Sequence, residues 1–246
     1  MRSVVAVLLA GCLSAAAAGA QPIASDRDRR EALAFLRSGL EAMSAERFDR
    51  AVQEFSNAIK KDPLLTVAHY DLGRSYMELK DFPHAIEAYT GCVEAERSLF
   101  DVGQRNVFEV ERRRDDQIQE LKQAINQRVH ATGESPLVWV MEQQLQNLQD
   151  QKRVPADAFH PSGEVLLALG SAYFRSGNRE LAETEWRAAV AVNPGLGEAH
   201  NNLAVIDMQK SQFDDAEREL DLAEKAGFSV NPQFRTDLKR MKNGAP

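Results

Sequence analysis

Cysteine is scarce: Cys12 and Cys92 are the only two in 246 residues. Removal of the N-terminal leader argued below would leave Cys92 alone, and one thiol closes no intramolecular disulfide. Positive charge is also short, with 30 Lys and Arg against 37 Asp and Glu and a formal net charge of −7. Nucleic acid is therefore not expected as a partner, because phosphate binding needs a concentrated basic face. The one basic run, Arg112-Arg113-Arg114, is followed at once by Asp115-Asp116 and reads as a solvated helix face. Signatures of chemistry are missing as well. There is no phosphate loop, nucleophile elbow, zinc helix or calcium loop. Gly195-Leu196-Gly197 follows Pro194 and reads as a turn. The five histidines are dispersed, without the converging ligands a metal needs. No catalytic residue, metal or cofactor is expected, and the chain reads as a non-enzyme.

What is present is a repeat. Leu72-Gly73-x-x-Tyr76 is followed by Ala85 and Tyr89. Leu169-Gly170-x-x-Tyr173 is followed by Ala182, Trp186, Ala189 and Pro194. Gly39 is followed by Ala51, Phe55, Ala58 and Pro63, and Leu203-Ala204 by Ala216, Leu220 and Ala223. Gly39 to Gly73 is 34 residues, and Gly170 to Ala204 is 34 again. Small residues on two helices let their backbones approach, and the aromatics fill the space left. Proline ends the second helix, because it lacks the backbone donor and restricts the residue before it. Period and pattern together resemble the tetratricopeptide repeat, a helix–turn–helix unit that stacks into a solenoid. The resemblance covers Ala32–Lys61, Thr66–Arg97, Gly163–Asn193 and Gly197–Gly227. The fourth unit departs from it: Asp207 and Leu220 stand where aromatics are expected, as suits a terminal repeat. Cys92 falls where the other repeats have Ala58, Ala189 and Ala223, so it reads as a small core residue. His69 and His200 also occupy equivalent places, which points to packing.

The period breaks once. Gly73 to Gly170 is 97 residues, 63 beyond one period. Ile118, Leu121, Ile125 and Val129 recur at three- and four-residue steps, as do Val138, Met141, Leu145 and Leu148. Each set is the apolar stripe of a helix. Gly133 suits a helix stop, and Ser135-Pro136 a cap and first residue. The expectation is an antiparallel hairpin over Gln104–Ala131 and Pro136–Gln151, packed against both halves of the solenoid; the alternative is two separate repeat pairs bridged by the hairpin as a protruding coiled-coil arm. The predicted fold is thus all-α, an alpha-alpha superhelix of four repeats with an inserted helical hairpin. Its divisions are a signal peptide (1–20), a polar lead-in (21–31), repeats one and two (32–97), the hairpin and a loop (98–161), repeats three and four (162–228), and a capping helix (229–246). In that cap, Phe234, Leu238 and Met241 form one stripe.

The leader reading rests on Arg2, the apolar stretch Val4–Leu13, which is too short for a permanent span, and the A-x-A site Ala18-Gly19-Ala20 before Gln21. It predicts export from a bacterial cytoplasm to the periplasm or beyond. Leu9-Ala10-Gly11-Cys12 offers a competing signal, a lipobox, which would make the protein a membrane-anchored lipoprotein with a lipid on Cys12.

In proteins of the resembled family the first helices line a concave groove that grips peptides. The resemblance therefore implies a partner surface of Leu36, Leu40, Tyr70, Arg74, Met77, Leu167, Phe174, Arg175, Asn201, Val205 and Met208. Its apolar character suits an amphipathic helix or an apolar peptide of another protein. The alternative is a groove already filled by the hairpin or the lead-in, since large exposed apolar patches are rare on soluble monomers. Asn202 matches one asparagine of the clamp by which some relatives hold chaperone tails, but the lysines are absent, so that role is not expected. Two functional expectations remain: an interaction scaffold of the bacterial envelope working through its groove, or a structural subunit of an envelope or secretion assembly working through its hairpin.

Overall fold

Small residues meet large ones across each helix pair, and that match sets the architecture. The computed structural model describes residues 23–105, 107–132, 135–150 and 159–243. The expected leader, its expected cleavage site and Cys12 lie outside the described residues. Four pairs build a solenoid: α1 (Asp26–Ser44) with α2 (Phe48–Lys61), α3 (Thr66–Glu78) with α4 (Phe82–Arg105), α7 (Gly163–Arg175) with α8 (Arg179–Val192), and α9 (Gly197–Gln209) with α10 (Phe213–Lys225). The long helices α5 (Val107–Thr132) and α6 (Pro136–Asp150) pack on each other as the inserted hairpin, and α11 (Pro232–Lys242) packs on α10. Among the described residues there are eleven helices and no strand.

The pairs close as their side chains dictate. Ala51, Ala85, Ala182 and Ala216 are fully buried, and so are the partners that fill the gaps, Phe55, Tyr89, Trp186 and Leu220. Cys92 is buried too, its Sγ 3.3 Å from the Thr66 carbonyl, and burial pushes its thiol well above the usual range. The His69 ring lies 3.0 Å from the Pro63 carbonyl, and the His200 ring 3.1 Å from that of Pro194. The two histidines thus make the same contact at the same joint in different repeats.

The first turn of each repeat also recurs. Glu46, Lys80 and Ser211 have φ near +55° to +60°, and Gly177 has φ +91° at the equivalent position. Only glycine adopts this conformation without a steric penalty, which for other residues is about 1–2 kcal/mol. Ser211→Gly is therefore expected to raise stability by about 0.5–1 kcal/mol, the part left after glycine's larger unfolded-state entropy. Urea unfolding should show a higher midpoint at unchanged slope, and an unchanged or lower midpoint would contradict it.

The insertion does not interrupt the stack. α4 packs directly on α7, so repeats two and three are neighbours although 63 extra residues lie between them. Glu96 makes the splice. It stands 34 residues after Asp62, at the same place in its repeat. Its carboxylate accepts hydrogen bonds from the Ser162 amide (2.9 Å) and hydroxyl (2.7 Å), at the entry to α7. Burial holds the Glu96 carboxyl above its ordinary range despite those bonds.

The hairpin sits on repeats one and two, where α5 packs on α1 and α4. This corrects the expectation of a hairpin bridging both halves. The halves need no bridge, because Tyr89 and Ala85 of α4 share a buried cluster with Leu169 and Ala172 of α7. A second correction concerns the cap. Leu238 is buried and Phe234 half-buried, but Met241 is exposed, so the stripe of α11 ends a turn early. Polar contacts hold that last turn instead, with Lys242 2.7 Å from both Asp214 and Glu217.

Candidate functional site

The first helices of the repeats, α1, α3, α7 and α9, are the ones that the family resemblance places along a groove. Its two ends differ. Over α1 the groove is filled. Leu36 and Leu40 share a core with Leu121 and Ile125 of α5 and with Val138, Met141 and Leu148 of α6. Leu36 is 1% exposed and Leu40 5%. Both were expected to touch a partner, and both are instead beneath the hairpin, whose own apolar stripes need cover. Of the two stripes, Val129 departs from the pattern and is exposed.

Polar contacts fix the hairpin at several points. Arg37 of α1 bonds Glu120 of α5 at 2.6 Å, and Arg128 of α5 donates to the Ser44 carbonyl at 3.2 Å. Arg113 of α5 pairs with Asp62 at the end of α2, with both side chains 2% exposed. Arg29 faces Asp116 at 3.7 Å, and Arg112 bonds Asp26 at 2.9 Å. Gln144 of α6 donates to Asp71 of α3 at 3.2 Å, and Arg74 reaches the same Asp71 oxygen at 3.0 Å. Asp71 is fully buried, and that burial raises its carboxyl above the ordinary range against the pull of Arg74. The run Arg112–Arg114 is therefore not a uniformly solvated face, since its central residue closes a buried ion pair. A side chain every three or four positions turns inward on a helix that is buried on one side, and Arg113 shares the inward face with Gln117 and Leu121.

The other expected partner residues lie outside the core beneath the hairpin. Tyr70, Arg74, Met77, Leu167, Phe174, Asn201, Val205 and Met208 are all half-buried, and Arg175 is exposed. Several also serve the fold. The Tyr70 ring packs on Tyr89 at 5.7 Å, and burial raises its phenol above the usual range. The Phe174 ring packs on Trp186 at 5.5 Å, and the Leu167 carbonyl accepts from the Trp186 indole at 3.2 Å. Arg175 lies over the ring of Phe82 at 5.4 Å. The aliphatic residues of the open half are Leu167, Val205 and Met208, and Asn201 and Arg175 are its polar members.

Sequence reasoning missed the polar residues that seat the hairpin: Asp62, Asp71, Arg113, Gln117 and Gln144. Asp71 carried a usable signal, being an acid at a groove-facing step between Tyr70 and Arg74. Among the described residues no group of three or more metal-ligating side chains is gathered, and no helix is long and apolar enough to cross a membrane.

Comparison with known proteins bears on the same residues. No curated protein matches the chain. Among solved structures, a thermophilic tetratricopeptide repeat protein of Thermus thermophilus is 19% identical, with 85% of this chain and 97% of that one covered at a TM-score of 0.36. PilF of Pseudomonas aeruginosa is 17% identical, with 84% and 81% covered at 0.35. YrrB, described as a tetratricopeptide repeat protein with an unusual peptide-binding site, is 16% identical, with 87% and 94% covered at 0.31. The family pattern described as the tetratricopeptide repeat matches residues 36–96 and 167–232, on both sides of the insertion and over half of the chain. The chain belongs to the tetratricopeptide repeat family.

Proposed function

We propose that the chain is a non-enzymatic interaction scaffold of the bacterial cell envelope that binds a peptide or amphipathic helix of another protein in the open half of its groove. The observation that carries this reading is that Leu167 and Phe174 of α7 and Val205 and Met208 of α9 are apolar and only half-buried. A short amphipathic helix places residues at i, i+3, i+4 and i+7 on such a surface. Leu36 and Leu40 are not part of it, because the hairpin covers them. Val205→Glu with Met208→Glu puts two charges on this surface. Proteins co-purifying from an envelope fraction should fall at least about tenfold in recovery, about 1.4 kcal/mol of lost affinity. Circular dichroism should be unchanged. The same proteins recovered at wild-type yield would refute the groove reading.

Export belongs to this proposal. The mature chain starts near Gln21 or carries a lipid on Cys12, and the intact mass of the native protein decides between them. A second reading has its own observation: Trp139 on α6 is 62% exposed. Large aromatic side chains are enriched at protein interfaces. Here the chain is a structural subunit that contacts its assembly through the hairpin, and Trp139→Glu would lower the assembled mass in sedimentation. An unchanged mass would remove this reading.

A further inference from the structure

The hairpin occupies the groove of α1 and α3 in the way an amphipathic ligand helix would, and its seat differs from the packing within the solenoid. The repeats join mainly through fully buried apolar side chains such as Ala85, Ala172, Ala182 and Leu203, with Asp207 beside Arg187 as a buried polar exception. The hairpin seat is partly polar and incompletely closed. A cleft between α1 and the hairpin, open to solvent on one side, is lined by Arg37, Leu40, Ala124, Arg128, Leu137 and Met141. Five buried polar atoms along the same seat have no hydrogen-bonding partner: Arg37 Nε, Asp71 Oδ2, Arg113 Nη2, Gln117 Nε2 and Gln144 Oε1. Each such atom weakens the docked state relative to the open one, in which water satisfies it. Meanwhile Glu96 holds Ser162, and α4 packs on α7, without help from the hairpin.

We propose that the α5–α6 hairpin is an internal placeholder: it leaves the groove as a unit while the solenoid stays folded, and a partner helix then takes its place over α1 and α3. This extends the binding surface from two repeats to four, and it rests on the groove reading given above. The incoming helix copies the chemistry of α6. It carries aliphatic or methionine side chains at the places of Val138, Met141 and Leu148, and an amide at the place of Gln144 to meet Asp71.

Hydrogen exchange on the full chain, followed by mass spectrometry, tests it. Amides of α5 and α6 should exchange at least about tenfold faster than those of α2 and α8, through an opening smaller than global unfolding. Gln144→Ala, which removes the amide contact with Asp71, should speed exchange of the hairpin alone by a further five- to tenfold or so. A synthetic peptide of residues 136–150, added in excess, should then raise exchange in α5 and α6 while α1 stays protected. If α5 and α6 exchange only in step with α2 and α8, the placeholder is overturned, and the open groove of α7 and α9 is untouched by that result. If the hairpin opens but the peptide displaces nothing, the groove of α1 and α3 takes no helix and the proposal fails. Loss of binding in the Val205→Glu, Met208→Glu protein is read separately and reports only on the open half.

Discussion

Arg113→Ala is expected to destabilise the chain by about 3–5 kcal/mol, the usual result of stripping one partner from a buried ion pair. Asp62 would remain 2% exposed with its charge unmatched, at the joint between α2 and α3. The loss comes from the stranded carboxylate more than from the missing attraction. A second change should therefore restore most of it. Asp62→Asn removes the charge but keeps an oxygen for the Leu64 amide, which Asp62 now binds at 3.2 Å. Asparagine is already used at the matching place in repeat three, where Asn193 accepts from the Gly195 amide at 3.0 Å. The pair Arg113→Met with Asp62→Asn should lie within about 1–2 kcal/mol of the parent, as exchanges of buried ion pairs for neutral groups often do. Urea unfolding of the two single variants and the double variant measures this directly. If Arg113→Ala lost less than about 1 kcal/mol, a value typical of exposed pairs, the hairpin would not be seated on the solenoid as described.

The solenoid was legible because its determinants are local and repeated. Gly73, Tyr76, Ala85 and Tyr89 serve one helix pair, and the same residue types return at the same spacing wherever another pair is built. The stripes of α5 and α6 were legible for a similar reason, since period alone marks a helix face. Where those faces go was not legible. Leu36 and Leu40 have the composition of a ligand surface and equally of a core, and only the position of the hairpin decides which they are. Arg113 shows the same limit for charge. In sequence it is the middle of a basic run beside two aspartates. In space it is the residue of that run whose angle on α5 turns it toward Asp62, 51 positions earlier. The splice at Glu96 was hidden too, because its partner Ser162 lies 66 residues away.

The insertion bears on function through the place where it was accepted. It enters after α4 and leaves before α7, at a boundary between repeats, where the chain would otherwise make a short turn. Every helix pair keeps its internal packing, so the solenoid tolerates the extra chain, as stacked repeats with nearest-neighbour interactions allow. The consequence is a groove in two states along its length: filled over α1, open over α7 and α9. Under the proposed function, a partner would meet the open part first, where Leu167, Val205 and Met208 are half-buried and Arg175 is exposed.

Gly73→Ala should test the rule on which every helix pair depends. A β-carbon at residue 73 would lie 2.6 Å from a ring carbon of Tyr89, closer than carbon atoms approach. Tyr89 cannot simply swing away, since it is 2% exposed and its ring packs on Tyr70. The expected loss is about 1–3 kcal/mol, the range for overpacked cores. Tyr89→Ala alone empties the same space and should lose about 3–5 kcal/mol, as large aromatic truncations do. Together the two changes should lose less than their sum, by about 0.5–3 kcal/mol, because the added methyl then enters room that the ring has vacated. A sum that is strictly additive would mean that residue 73 and the ring do not compete for one volume. The same cycle at Gly170 and Trp186, where the β-carbon also falls 2.6 Å from the ring, should give coupling of the same sign. Agreement between the two sites would show that one packing rule, repeated across the insertion, holds both halves of the groove in shape.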